Sequence, residues 1–155
     1  MSKRFSIMKY PQALKPLLDY GVALHKCGLE APLIELVQMR VSQINGCAYC
    51  LDMHSKDARA AGETEQRLYM LAGWREAPSI YSERECAAFA WAEAVTRLGV
   101  DGVPDEVYQR TLASFSEEEL LNLTLAVNLI NTWNRINVSF QTPGGSYRPA
   151  ARQAA

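Results

Sequence analysis

The chain has 155 residues, 48% of them hydrophobic and 21% charged, which suits one globular domain and excludes wholesale disorder. With 16 Lys plus Arg against 17 Asp plus Glu the formal net charge is -1, and no basic run occurs, so nucleic acid is not an expected partner. The start "MSKRFSIMKYPQALKP" lacks an apolar core of signal-peptide length, and no later stretch approaches the roughly 18 unbroken apolar residues of a membrane span; no membrane association and a cytoplasmic location are expected.

Strand signals are nearly absent, whereas helical periodicity runs through the chain. "ALKPLLDYGVALHKCG" carries Leu14, Leu17, Leu18, Val22 and Leu24 at helical spacing and stops at Gly28, predicting a first helix with Pro16 near its start. "APLIELVQMRVSQING" places Pro32 in a first turn, where a missing N–H is harmless, and continues through Leu33, Leu36, Val37, Arg40 and Val41 to a stop at Asn45 and Gly46. The next helix opens on Cys47, runs to about Ala61 and ends at Gly62, after which Thr64 caps a short fourth helix. In "SERECAAFAWAEAVTRLG" Ser82 and Glu85 form a capping box, alanines permit close packing, and Gly99 marks the end. Pro104 and two acids open "PDEVYQRTLASF". Ser116 and Glu119 supply a second capping box for a last helix made central by Leu120, Leu123, Val127, Ile130 and Trp133. The tail "QTPGGSYRPAARQAA" is poor in apolar residues and reads as loose, or as an arm laid on a partner subunit. The expected fold is all-α, a single helical domain of six or seven helices over residues 1–140, followed by a tail at 141–155.

The chemistry concentrates in "INGCAYCLDMH", where Cys47 and Cys50 are followed by His54. At about 100° per residue the three side chains fall within roughly 60° of one another on a single helix face. Gly46 puts Cys47 at the helix start, where unpaired N–H groups and the positive end of the dipole favour a thiolate. His54, one turn beyond Cys50, is placed to accept its proton or to stabilise its anion. A base of this kind needs a group to fix its tautomer, and two carboxylates are candidates: Asp57 on the same helix and Glu35 on the preceding one. Helix position favours Cys47 as the reactive sulfur and the histidine favours Cys50, so these residues alone leave the choice open.

Other readings of the same residues exist. Cys47, Cys50, His54 and Glu35 are all potential zinc ligands, although no second C-x-x-C or H-x3-H accompanies them. A thioredoxin-like oxidoreductase needs strands around its C-x-x-C, and none are visible. Cys27 and Cys86 sit in apolar helices and read as core filling, His25 as a surface or capping residue.

The pattern Glu35-x11-Cys47-x2-Cys50-x3-His54, with "RVSQINGCAYC" leading into the helix, resembles the alkyl hydroperoxidase D family within the carboxymuconolactone decarboxylase superfamily. The resemblance is specific over about residues 31 to 98, continues more weakly in "NLINTWNRINVSF", and leaves out the N-terminal helix and the tail. It implies an all-helical trimer or hexamer that reduces hydroperoxides without an organic cofactor or metal. By the same resemblance Cys50 is the peroxidatic cysteine, Cys47 the resolving one, and His54 with Glu35 the proton relay. The electron donor it implies is a dithiol, carried by a lipoyl-bearing protein or, alternatively, a thioredoxin-like one. One position departs from the family pattern: Tyr49, between the cysteines, stands where a second histidine is common. A disulfide between residues three apart is expected near the surface, open to exchange with an external dithiol. The alternative to turnover is a zinc-binding or redox-responsive dithiol module. A decarboxylase or ring-opening activity needs no pair of cysteines.

Overall fold

The computed structural model describes residues 4–149. Over them the periodic segments become seven α-helices: α1 (Pro11–Leu24), α2 (Ala31–Asn45), α3 (Ala48–Ala60), α4 (Glu65–Met70), α5 (Glu83–Thr96), α6 (Asp105–Leu112) and α7 (Glu117–Phe140). Short 3-10 turns precede α1 at Ile7–Lys9 and follow α4 at Leu71–Glu76, and no strand forms among the described residues.

Both capping boxes form. The Ser82 and Ser116 hydroxyls accept the backbone N–H of Glu85 and Glu119, and the two glutamates reach back to the serine N–H groups. Each satisfies two donors that a helix start otherwise leaves bare, stabilising its helix by about 1 kcal/mol. Thr64 caps α4 through the N–H of Arg67.

The centre is built by α2, α5 and α7. Every residue from Cys86 to Glu93 on α5 is buried, as a helix surrounded on all sides requires. Its alanines keep that helix thin enough for α2, α6 and α7 to pack around it. On α2, Leu33, Ile34, Leu36, Val37, Met39 and Val41 meet Leu120, Leu123, Val127 and Ile130 of α7 in one core. Within this apolar interior Arg40, 8% exposed, and Glu93, 4% exposed, form a buried ion pair.

Three helix ends differ from the sequence expectation. Pro11, rather than Pro16, opens α1; Pro16 lies inside the helix on its exposed side, where water can reach the carbonyl that loses its N–H partner. α1 ends at Leu24 instead of Gly28, and α5 at Thr96 instead of Gly99, because Arg97 leaves helical geometry. Of the periodic apolar residues of α1, Leu14 and Leu24 are buried, while Leu18 and Val22 remain 56% and 59% exposed. The tail, expected loose or on a partner, touches the chain's own α3 at Gly144, Gly145 and Tyr147; residues 150–155 lie outside the described residues.

Candidate active site at the head of α3

α2 stops because Gly46 adopts a left-handed conformation, φ 65°, that side-chain-bearing residues rarely take. The chain reverses within that one residue and Cys47 becomes the N-cap of α3, a position one earlier than the first-turn placement read from sequence. Its Sγ accepts the backbone N–H of Cys50 at 3.3 Å, the bond that a serine or aspartate normally makes there. Cys47 and Cys50 are joined as a disulfide across a Cα–Cα distance of 5.4 Å.

One turn further, His54 is only 5% exposed. Its Nδ1 lies 2.9 Å from Glu35 Oε2 on α2, so of the two carboxylates considered it is Glu35 that meets the ring. Because a carboxylate only accepts, Nδ1 carries the hydrogen, and in the neutral imidazole Nε2 holds a free lone pair. That Nε2 is buried and has no hydrogen-bond partner among the described residues. A buried polar atom without a partner is unusual in a folded protein.

Asp57 is engaged elsewhere: both its oxygens accept the Tyr147 hydroxyl, at 3.0 and 2.9 Å. Burial pushes the Asp57 carboxyl up, against the pull of the Tyr147 bond, and the Glu35 charge adds to the rise. Burial, then the bond to Asp57, pushes the Tyr147 phenol up to about 12. Glu35, His54 and Asp57 share the wall of a hollow of about 240 Å³ with Leu24, Met53 and Trp133, so the relay faces a space with a mostly apolar floor. His25 closes α1 as its C-cap and lines the same hollow.

The disulfide is not near the surface, as the sequence suggested; Cys47 and Cys50 are each 1% exposed. The tail is one physical reason. Gly144 runs against the first turn of α3 so closely that an added Cβ would stand 2.7 Å from the Ala48 carbonyl oxygen. Asp52 accepts the N–H groups of Gly145 and Tyr147 at 2.8 and 3.2 Å, and Lys56 donates to the carbonyls of the same two residues. The Lys56 ammonium beside it, together with these two N–H groups, holds the Asp52 carboxyl below its ordinary value. Asp52→Ala, which removes the acceptor of both tail N–H groups, is expected to speed reduction of the disulfide by a protein dithiol several-fold and by dithiothreitol less. Stopped-flow reduction kinetics with the two reductants checks this.

Sequence reasoning missed Asn137 on α7. It is 5% exposed, and its Nδ2 donates to Cys50 Sγ at 3.6 Å. The signal was available in Asn131, Asn134 and Asn137, amides at three-residue spacing on an apolar helix. Cys27 and Cys86 are apart from the site as free thiols, and burial pushes the Cys86 thiol up. Among the described residues no group of three or more His, Cys, Asp or Glu is arranged to hold a metal. In the oxidised state the two sulfurs are bonded to each other and His54 Nδ1 to Glu35, so neither sulfur stands as a thiolate.

The model of the carboxymuconolactone decarboxylase family matches residues 9–94, from α1 to the last turn of α5. The chain belongs to that family. The match includes α1, which the motif-based resemblance left out, and the fold is that of the alkyl hydroperoxidase D proteins. The uncharacterized protein YdfG of Bacillus subtilis is 41% identical over 140 residues, 90% of this chain and 95% of its own. A crystal structure of a protein of unknown function from Agrobacterium tumefaciens, described as a candidate antioxidant defence protein of the AhpD kind, is 39% identical. It superposes with a TM-score of 0.89 over 94% of this chain and all of the other. The debrominase Bmp8 shares the fold at 18% identity and a TM-score of 0.78, over 89% of this chain and 74% of its own, so this helical framework carries more than one chemistry.

Proposed function

We propose that the protein is a thiol-dependent peroxidase that reduces organic hydroperoxides through a Cys47–Cys50 dithiol/disulfide cycle. The observation that carries this reading is the unpartnered His54 Nε2, buried one helical turn from Cys50 with its tautomer fixed by Glu35. Such an atom suits the acceptance of a proton from a thiol and its return to a leaving oxygen.

In the reduced protein His54 Nε2 takes the Cys50 proton. The thiolate attacks the terminal oxygen of ROOH; the S–O bond forms as the O–O bond breaks, and the departing alkoxide takes the proton from His54 and leaves as ROH. Cys50 is now a sulfenic acid. The Cys47 sulfur displaces its hydroxyl as water, giving the disulfide, and an external dithiol returns both cysteines to thiols while becoming a disulfide itself. Tyr49 supplies no proton acceptor of the histidine type beside Cys47, and the Cys50 N–H at the helix head takes over the stabilisation of the Cys47 anion. No organic cofactor or metal takes part in this cycle.

The hollow bounded by Leu24, Met53 and Trp133 is lined by His54 and not by Cys50, and its apolar wall supports an apolar organic group on the hydroperoxide. The donor is a dithiol borne by a lipoyl-carrying or thioredoxin-like protein, and a homo-oligomer, trimeric or hexameric, is the assembly that the family resemblance supports; light scattering measures it. Sustained formation of t-butanol from t-butyl hydroperoxide with dihydrolipoamide or reduced thioredoxin tests the function. No peroxide loss above the protein-free rate, with either donor, contradicts it. The burial of both sulfurs favours one second reading, a redox-responsive dithiol without turnover. It predicts consumption of a single equivalent in the same assay and none thereafter.

Glu35→Leu is expected to lower the turnover rate by about 10²-fold, with KM changed less, because it removes the orientation of the His54 ring and not a substrate contact. Steady-state kinetics across pH reads both effects.

A further inference from the structure

α7 carries Asn131, Asn134 and Asn137 at three-residue spacing, 8%, 0% and 5% exposed. Burying an amide costs free energy unless its hydrogen-bonding groups are met. The first two rungs are met from the end of α2: Asn45 Nδ2 donates to Asn131 Oδ1 at 2.8 Å and to Asn134 Oδ1 at 2.9 Å. Asn134 Nδ2 donates to Ser42 Oγ at 3.0 Å, and Asn131 Nδ2 to Thr96 Oγ1 at 3.0 Å. Asn45 is two residues before Cys47, so these bonds fix the register of α7 against the turn that carries the cysteines. The third rung differs from the others in its acceptor. Asn137 Nδ2 donates to the Cys50 sulfur at 3.6 Å, and its backbone carbonyl accepts the Thr142 N–H at 2.9 Å where the chain leaves α7.

We propose that Asn137 is a catalytic residue, the hydrogen-bond donor that stabilises Cys50 as the peroxide-attacking thiolate. The inference rests on the reading of Cys50 as the attacking sulfur and adds the group that holds its charge. A hydrogen bond donated to sulfur favours the anion over the thiol. The amide does not titrate, so it donates throughout the cycle, whereas His54 must gain and lose a proton to move one between sulfur and oxygen. The two groups divide the work: His54 Nε2 takes the thiol proton and Asn137 stabilises the charge left on sulfur. Cys47 has the Cys50 backbone N–H as its donor, so each sulfur has one; Cys50 alone combines its donor with a histidine one turn away. That combination gives the physical reason for the choice that the sequence left open.

The test is an NMR titration of the cysteine 13Cβ resonances in the fully reduced protein, a readout that needs no reagent to reach a buried sulfur. Asn137→Ala is expected to raise the Cys50 titration midpoint by about one pH unit, which is about tenfold less thiolate at a pH below it, and to slow peroxide oxidation to match. The isosteric Asn137→Asp raises the midpoint further, since a carboxylate then faces the thiolate. In both variants the other titratable groups around Cys50, namely Cys47, His54 and Glu35, are retained. Asn134→Ala, which removes a rung without touching sulfur, is expected to lower thermal stability and leave the midpoint in place. An unmoved Cys50 midpoint in folded Asn137→Ala, or in Asn137→Asp where the alanine variant does not fold, overturns the proposal. The titration uses no peroxide: a shifted midpoint in a protein without turnover defeats the peroxidase reading and supports the donor role, whereas turnover with an unmoved midpoint defeats the donor role alone.

Discussion

Cys50→Ser is expected to lower hydroperoxide reduction by about 10³-fold or more, and Cys47→Ser to allow one turnover per chain and then stop at the sulfenic acid. The asymmetry follows from what surrounds each sulfur. Cys50 has Asn137 as a donor and His54 one turn away, whereas Cys47, as the N-cap, has only the N–H at the head of α3. Serine at 50 keeps a hydroxyl that His54 can still reach but has no counterpart of the sulfenic acid, so it cannot take up the peroxide oxygen and pass on to a disulfide. Serine at 47 keeps the cap, and so the helix, while removing the sulfur that closes the disulfide. Single-turnover peroxide consumption with mass detection of the sulfenic acid separates the two variants; equal loss in both contradicts the assignment.

Glu93→Ala is expected to destabilise the fold by about 3–5 kcal/mol, since it leaves the buried Arg40 guanidinium with no carboxylate and strands the Trp74 Nε1 donor as well. For a domain of this size that is a fall in Tm of about 10 °C or more, read by calorimetry at neutral pH. Burial acts to raise the Glu93 carboxyl, but hydrogen bonds from Trp74, Arg40 and Arg75 outweigh it and hold the group below its ordinary value of 4.5. The sign of the pH effect follows. A carboxyl whose folded pKa lies below its unfolded one contributes its full stability above the unfolded value and loses it as pH falls through the folded one. The gap in stability between wild type and Glu93→Gln therefore narrows as the pH falls below about 4.5. A gap constant from pH 7 to pH 3 contradicts the role assigned to this pair.

Much of the frame around the site is local and so was legible in the sequence. The Asn45–Gly46 stop, the capping boxes at Ser82 and Ser116 and the shared face of Cys47, Cys50 and His54 each depend on residues a few positions apart. What was not legible depends on contacts across the chain. Gly and Pro in the tail read as looseness, yet it is the missing side chain of Gly144 that allows the tail to lie against Ala48. Tyr147 reaches Asp57 from ninety residues away, which is why local spacing alone did not separate Asp57 from Glu35 and only the family resemblance favoured Glu35. Asn137 was hidden by its setting, because a helix rich in Leu, Val and Ile is read for packing and its few amides pass as surface residues. Leu18 and Val22 show the converse: helical spacing predicts an apolar face but not whether anything covers it.

The reduced protein, with all four cysteines as thiols, treated with one equivalent of cumene hydroperoxide, gives the most direct test. The account predicts the loss of two thiols per chain, the appearance of one equivalent of cumyl alcohol, and a peptide map in which Cys47 is bonded to Cys50 while Cys27 and Cys86 remain free. Four intact thiols with unconsumed peroxide, or oxidation confined to Cys27 and Cys86, would contradict it.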